Sequence, residues 1–221
     1  MNRLYMKLFL KMLRPFIDGL RLQRIERFRR LNARAQPGGN VLVGDSITEG
    51  FPIEEMYTGG KRVYNRGISG DSTLDVLARM SESVFDLSPS RVFLQIGTND
   101  LNLPKPATLD EIATRIDEIC RQVAERLPST EVVLISVYPV VVTAGTGIQL
   151  EMVSPRTNVM IQDLNRRVAA VAAKRGLVYI DLYSRLVDAN GQLKRDYTTE
   201  GLHLTLDGYE VVLKEIEPLF V

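Results

Sequence analysis

The chain has 221 residues, enough for one α/β domain with a real core and no second domain of normal size. With 45% hydrophobic residues, 25% charged residues and a net charge of +1, it reads as a soluble globular protein, and nothing in that balance points to a nucleic-acid partner. The single cysteine, Cys120, excludes an intramolecular disulfide, and one cysteine with one histidine excludes a His/Cys metal cluster. No calcium-loop spacing occurs, so neither metal nor cofactor is expected.

The charge is uneven along the chain. Residues 1–36 carry ten Lys/Arg against Asp18 and Glu26, whereas the remainder carries 18 basic and 25 acidic side chains. Met1 to Leu13 alternates apolar residues with Arg3, Lys7 and Lys11, which is too interrupted for a spanning helix. Ala33-Arg34-Ala35 mimics a signal-peptidase site, but no uninterrupted apolar core precedes it. No signal peptide is read, and a cytoplasmic location is expected. Two readings of residues 1–36 stand side by side. One is a basic amphipathic helix that lies on a membrane surface or on a partner, a second copy of the chain included. The other is a helix docked on the domain through Phe16, Leu20, Leu22, Ile25, Phe28 and Leu31, with its arginines outward.

Gln36-Pro37-Gly38-Gly39 breaks the chain and opens a core domain over 37–221. Strands are predicted at Val41–Val43, Lys61–Asn65, Arg91–Ile96, Val132–Val137 and Leu177–Ile180. Between the second and third, Asp71 or Ser72 caps a helix through Leu74, Leu77 and Met80. Leu109 to Leu127 is amphipathic at period 3.6, with Cys120 on its apolar face. Residues 140–154 form an apolar loop too long to be a mere connection. Pro155 opens a helix carrying Val159, Leu164, Val168 and Val171, which Gly176 ends, and a last helix runs from Asp207. Five apolar strands alternating with helices argue for a parallel sheet covered on both faces.

In such a sheet ligands bind beyond the carboxyl ends of the strands. Gly44-Asp45-Ser46 follows the first strand, Asn65 to Asp71 the second, Gly97-Thr98-Asn99-Asp100 the third and Tyr138-Pro139 the fourth; Glu200-Gly201-Leu202-His203 comes after the fifth. Ordinary turns would spread glycine and asparagine over both ends of the sheet. A serine hydroxyl needs a base to take its proton, and His203 is the one imidazole in the chain. Glu200 lies three residues earlier, where it can fix the tautomer of that base. Backbone N–H groups at Ser46 and Gly70 and the carboxamide of Asn99 can meet an oxyanion. Taken singly, Ser46 reads equally as a helix cap, His203 as a structural histidine and Asn99 as a turn residue. Their shared sheet edge is what favours chemistry. Two look-alikes fall away: Asp45 occupies the lysine position of a phosphate loop, and Thr48 stands where a Gly-x-Ser-x-Gly elbow needs glycine.

Gly44-Asp45-Ser46-Ile47-Thr48, Asn65-x-Gly67-x-x-Gly70-Asp71, Gly97-Thr98-Asn99-Asp100 and Glu200-x-x-His203-Leu-Thr together resemble the four ordered blocks of the GDSL, or SGNH, hydrolases. The resemblance spans roughly residues 40–210 and looks closest to the platelet-activating-factor acetylhydrolase-like and sialate O-acetylesterase-like branch. It implies a flavodoxin-like three-layer α/β/α fold on a five-stranded parallel sheet. It also implies metal-independent hydrolysis of a small-molecule ester, with short acyl groups such as acetyl on a lipid or carbohydrate. Ser46 is then the nucleophile, His203 the base, and Ser46, Gly70 and Asn99 the oxyanion hole. The family's acid position normally reads Asp and here is Glu200, with Asp196 or a backbone carbonyl as alternatives. Leu101, Leu103, Tyr138 and the 140–154 loop are candidates for the substrate-pocket wall. The competing reading is a non-catalytic module of the same fold that binds an acylated sugar or a protein.

Overall fold

The computed structural model describes residues 3–102 and 106–221, with side chains of the N-terminal helix described from Asp18 onward. That helix, α1, runs Arg3–Asn32. The strands are β1 (Asn40–Gly44), β2 (Val63–Gly67), β3 (Arg91–Gln95), β4 (Glu131–Ile135) and β5 (Val178–Ile180). Short helices α2 (Ser46–Glu49) and α3 (Ile53–Met56) join β1 to β2, and α4 (Thr73–Ala78) and α5 (Met80–Ser83) join β2 to β3. Helix α6 (Leu109–Arg126) precedes β4; α7 (Leu150–Val153) and α8 (Asn158–Arg175) precede β5; α9 (Tyr183–Leu186) and α10 (Leu206–Ile216) close the chain.

All pairings are parallel, in the order β2-β1-β3-β4-β5, so β2 and β5 are the edges. Alternation along each central strand splits the core in two. Val41, Val43, Val92, Leu94, Val132 and Leu134 face the layer of α4, α6 and α8. Leu42, Phe93, Val133 and Ile135 face the opposite layer, built from α2, α3, α9 and α10. This is the expected three-layer architecture, with the apolar side chains of the central strands shielded from water on both faces. The chain turns one way from β1 to β2 and the other way to reach β3, which makes the carboxyl ends of β1 and β3 the topological switch point. Ser46 follows the first of these strands and Asn99 the second.

Several elements differ from the sequence expectation. Helix α8 starts at Asn158, because the Thr157 side chain caps it by accepting from the Met160 N–H, so Ile161 rather than Val159 is buried. Ser72 does cap α4, with Asp75 completing a capping box, but Val76 is the buried residue and Leu74 is exposed. The largest difference is in α1. Ile25 and Phe28 are buried against Ile68, yet Leu20, Leu22 and Leu31 face outward, Leu22 at 64% exposure. Two arginines turn inward instead, Arg21 pairing with Asp71 and Asp75 and Arg24 with Glu49, while Arg27, Arg29 and Arg30 stay exposed, Arg29 reaching Glu82 from the surface. Acidic groups on the docking surface outbid the leucines for that face of the helix. Among the described residues, no helix is long and apolar enough to cross a membrane.

Candidate active site

β1 delivers Ser46 through a tight turn. The Asp45 carboxylate accepts from the Ile47 N–H at 3.0 Å and so caps α2. A side chain at Gly44 would collide with the Thr48 hydroxyl and the Gln95 carbonyl, which is why α2 can start so close to the sheet. Ser46 is the first residue of α2, so its N–H is one of the amides a helix leaves unsatisfied. Asp45 is wholly buried, and that burial pushes its carboxyl up to about 7, against the pull of the Ile47 N–H and of His203.

The Ser46 hydroxyl lies 2.8 Å from His203 Nε2, and His203 Nδ1 lies 3.0 Å from Glu200 Oε1. With Nδ1–H donating to the carboxylate, Nε2 is free to accept from the serine. The same Glu200 oxygen also accepts from the backbone N–H groups of Leu202 and His203. That is how the longer glutamate stem fits: the carboxylate folds back over its own turn. The Glu200 hydrogen bond raises the His203 pKa above 6.5 in spite of burial. Burial works to raise Glu200 itself, but the hydrogen bonds from His203 outweigh it and hold the carboxyl below its usual 4.5. Asp196 makes no hydrogen bond to His203 among the described residues; its carbonyl accepts from the Thr205 hydroxyl.

Gly70 has φ +82°, a left-handed conformation that glycine adopts without strain, while no neighbouring atom crowds it. Neither the Gly70 N–H nor the Ser46 N–H finds an acceptor among the described residues. The loops after β2 and β3 are tied together beside them. Asn99 Nδ2 donates to the Asp71 carbonyl at 3.0 Å, and the Thr73 N–H and hydroxyl both donate to the Asp100 carboxylate. Asp71 is clamped in turn by Arg79 at 2.5 Å and Arg21 at 2.8 Å, and Arg24 donates to the Gly67 carbonyl. Sequence reasoning passed over Arg21, Arg79 and Arg156, the last of which donates to Asn99 Oδ1 at 3.1 Å. Asp71 and Asp100 at least sat inside recognisable blocks; an arginine on a helix or in a turn looks like any solvated arginine.

The pocket candidates fare differently. Leu101 and Tyr138 are buried core residues. Leu101 fills the face that packs on α4, α6 and α8, and Tyr138 packs with Ile47, Phe51 and Tyr209 on the other. Leu103 lies outside the described residues. The 140–154 loop braces the histidine turn, with Gln149 N–H donating to the Glu200 carbonyl and Val141 N–H to that of Gly201, both at 2.9 Å. An open groove of about 600 Å³ lies instead between Leu20, Gln23 and Arg27 of α1 and the Ile68–Gly70 loop. Among the described residues, no three His, Cys, Asp or Glu side chains converge as a metal site requires.

Comparison with known proteins identifies the family. The model of the GDSL-like Lipase/Acylhydrolase family matches residues 42–211. The isoamyl acetate-hydrolyzing esterase 1 homolog of Bos taurus is 29% identical over 199 residues, covering 81% of this chain and 80% of the relative. The GDSL esterase/lipase At5g62930 of Arabidopsis thaliana is 26% identical over 206 residues, covering 81% and 84%. A solved Streptococcus pneumoniae structure, described by reference to platelet activating factor, superposes with a TM-score of 0.87 at 28% identity over 96% of this chain and 98% of its own. The family match takes in each strand end described above, from Ser46 to His203, and the chain belongs to the GDSL-like lipase/acylhydrolase family of ester hydrolases.

Proposed function

We propose that this hydrolase cleaves short-chain acyl esters, acetyl esters among them, of a lipid or carbohydrate alcohol through an acyl-enzyme on Ser46. The observation that carries the reading is the line of contacts from the Ser46 hydroxyl through the His203 ring to Glu200. His203 Nε2 takes the hydroxyl proton as Oγ bonds to the ester carbonyl carbon. The carbonyl electron pair moves onto oxygen, where the Ser46 and Gly70 N–H groups and Asn99 Nδ2 stabilise it. Collapse breaks the bond to the alcohol oxygen, which takes the proton back from His203. A water molecule then repeats the sequence on the acyl-serine, with His203 again as base, and frees the carboxylic acid. The acetate ester in the name of the bovine relative supports the acetyl preference. The groove beside Gly70 is offered as the place for the part of the substrate that does not react.

A fluorophosphonate probe tests the reading, since it labels only an activated serine. Wild type is expected to label and to turn over p-nitrophenyl acetate; Ser46→Ala and His203→Ala are expected to do neither while keeping their fold. Labelling that survives Ser46→Ala would sink the reading. Rates on p-nitrophenyl esters of increasing chain length, set beside acetylated sugars, then rank the substrates.

A further inference from the structure

We propose that Arg156 is a positioning residue of the oxyanion hole, fixing which way the Asn99 carboxamide faces and setting a buried positive charge behind it. This rests on the esterase reading above.

A carboxamide has nearly the same shape in its two flipped orientations, so only its hydrogen-bond partners decide which end is the donor. Asn99 sits between two partners of opposite kind. Arg156 Nη2, which can only donate, faces Oδ1 at 3.1 Å, and the Asp71 carbonyl, which can only accept, faces Nδ2 at 3.0 Å. Flipping the amide would set N–H against N–H and oxygen against oxygen. In the favoured orientation one Nδ2 hydrogen goes to Asp71 and the other remains for the substrate oxyanion. Without Arg156 only the Asp71 contact at Nδ2 would choose, and the carboxamide would be held at one end instead of two.

Arg156 is itself held rigidly. Nε donates to the Thr98 carbonyl at 2.8 Å, and Nη1 to the carbonyls of Met152 at 2.7 Å and Val153 at 3.2 Å. The residue is 3% exposed, and every group it bonds is neutral. A buried guanidinium without a bonded carboxylate is costly, and its field is not cancelled on the spot. That field falls on the Asn99 amide, whose donor end it polarises, on His203, and on the carboxyl groups of Asp45 and Glu200, neither of which it bonds. Three ionisable groups face the imidazole from the elements around it. Glu200 from its own turn raises its pKa, Asp45 at the end of β1 raises it further once its carboxyl ionises, and Arg156, from the turn before α8, lowers it.

The experiment compares Arg156→Met, which keeps length but loses charge and donors, with Arg156→Lys, which keeps charge, using p-nitrophenyl acetate. In Arg156→Met, kcat is expected to fall roughly 10- to 100-fold, short of the loss from deleting a donor outright, with KM changed less than about twofold. Its acid limb of kcat/KM should move to higher pH, because the influence that lowered His203 is gone; Arg156→Lys should leave the limb in place and recover part of kcat. The decisive measurement is the double variant: added to Asn99→Ala, Arg156→Met should cost nothing further in kcat on the pH plateau above the acid limb. Fully additive losses, or an acid limb that stays where it was, would overturn the proposal. Should Arg156→Met fail to fold, the cycle of Arg156→Lys with Asn99→Ala is decided by the same additivity criterion. Wild-type turnover separates the two readings: an inactive wild type removes both, whereas an active wild type with an additive cycle removes only the role of Arg156.

Discussion

Glu200 meets the histidine turn three times through one oxygen: the ring at Nδ1 and the backbone amides of Leu202 and His203. Glu200→Gln keeps an acceptor for the amides and loses the charge that the ring senses. Glu200 raises the His203 pKa, and in the proposed mechanism the base works only when neutral, so wild-type activity is expected to be lost as pH falls through that raised value. The variant should therefore show its acid limb at lower pH, together with a kcat lower by roughly 10²-fold or more as the imidazolium loses its partner. A pH–rate profile measures both, and Asp196→Asn should change neither; if only Asp196→Asn inactivates, the acid is misassigned. At this scale the sequence was legible wherever a site residue directly follows a strand, as Ser46 and Asn99 do, or keeps a fixed spacing, as Glu200 and His203 do. Arg156 and Arg79 were not legible, because much of what they bind is backbone carbonyl, which leaves no pattern in the sequence.

The strands and long helices could be read from periodicity to within a few residues; the face of α1 could not. Apolar spacing tells which residues a helix would bury on an uncharged surface, and α1 docks on a charged one. Arg21 reaches Asp71, whose carbonyl holds Asn99 and whose backbone follows Gly70, so α1 touches the support of two proposed oxyanion donors at once. Arg21→Gln should weaken that support without unfolding the domain. A part-exposed pair of this kind contributes about 1 kcal/mol, which in a chain of this size lowers Tm by roughly 2–4 °C. We expect that shift in thermal unfolding together with a severalfold fall in kcat on p-nitrophenyl acetate. Unchanged kcat with a lowered Tm would show that α1 stabilises the fold and does not act on the site.

On the scale of the whole molecule, the strand order puts the carboxyl ends of β1 and β3 side by side at the switch point, and the price of delivering a serine there is a buried acid. Asp45 stays neutral up to about 7 in the folded chain but ionises near 3.8 when the chain unfolds. Between those values unfolding releases a proton, so this group's contribution to stability declines as pH rises from about 4 to about 7 and is constant above. Asp45→Asn keeps the cap to Ile47 and cannot ionise. Whatever the fixed cost of burying the amide, the stability difference should move in the variant's favour across that window, by a few kcal/mol at most. Denaturant titrations at several pH values would measure it, and a difference that stays flat would show that Asp45 is already ionised in the fold. The open sheet has one more consequence. An unpaired strand edge is a template on which another chain can add, the usual first step toward fibrils. Here one edge, β5, is only three residues long, and the other, β2, is entered through the exposed pair Lys61-Arg62. A recruit would find too short a ladder at one side and two positive charges at the entrance to the other, so this sheet resists growing beyond its own five strands.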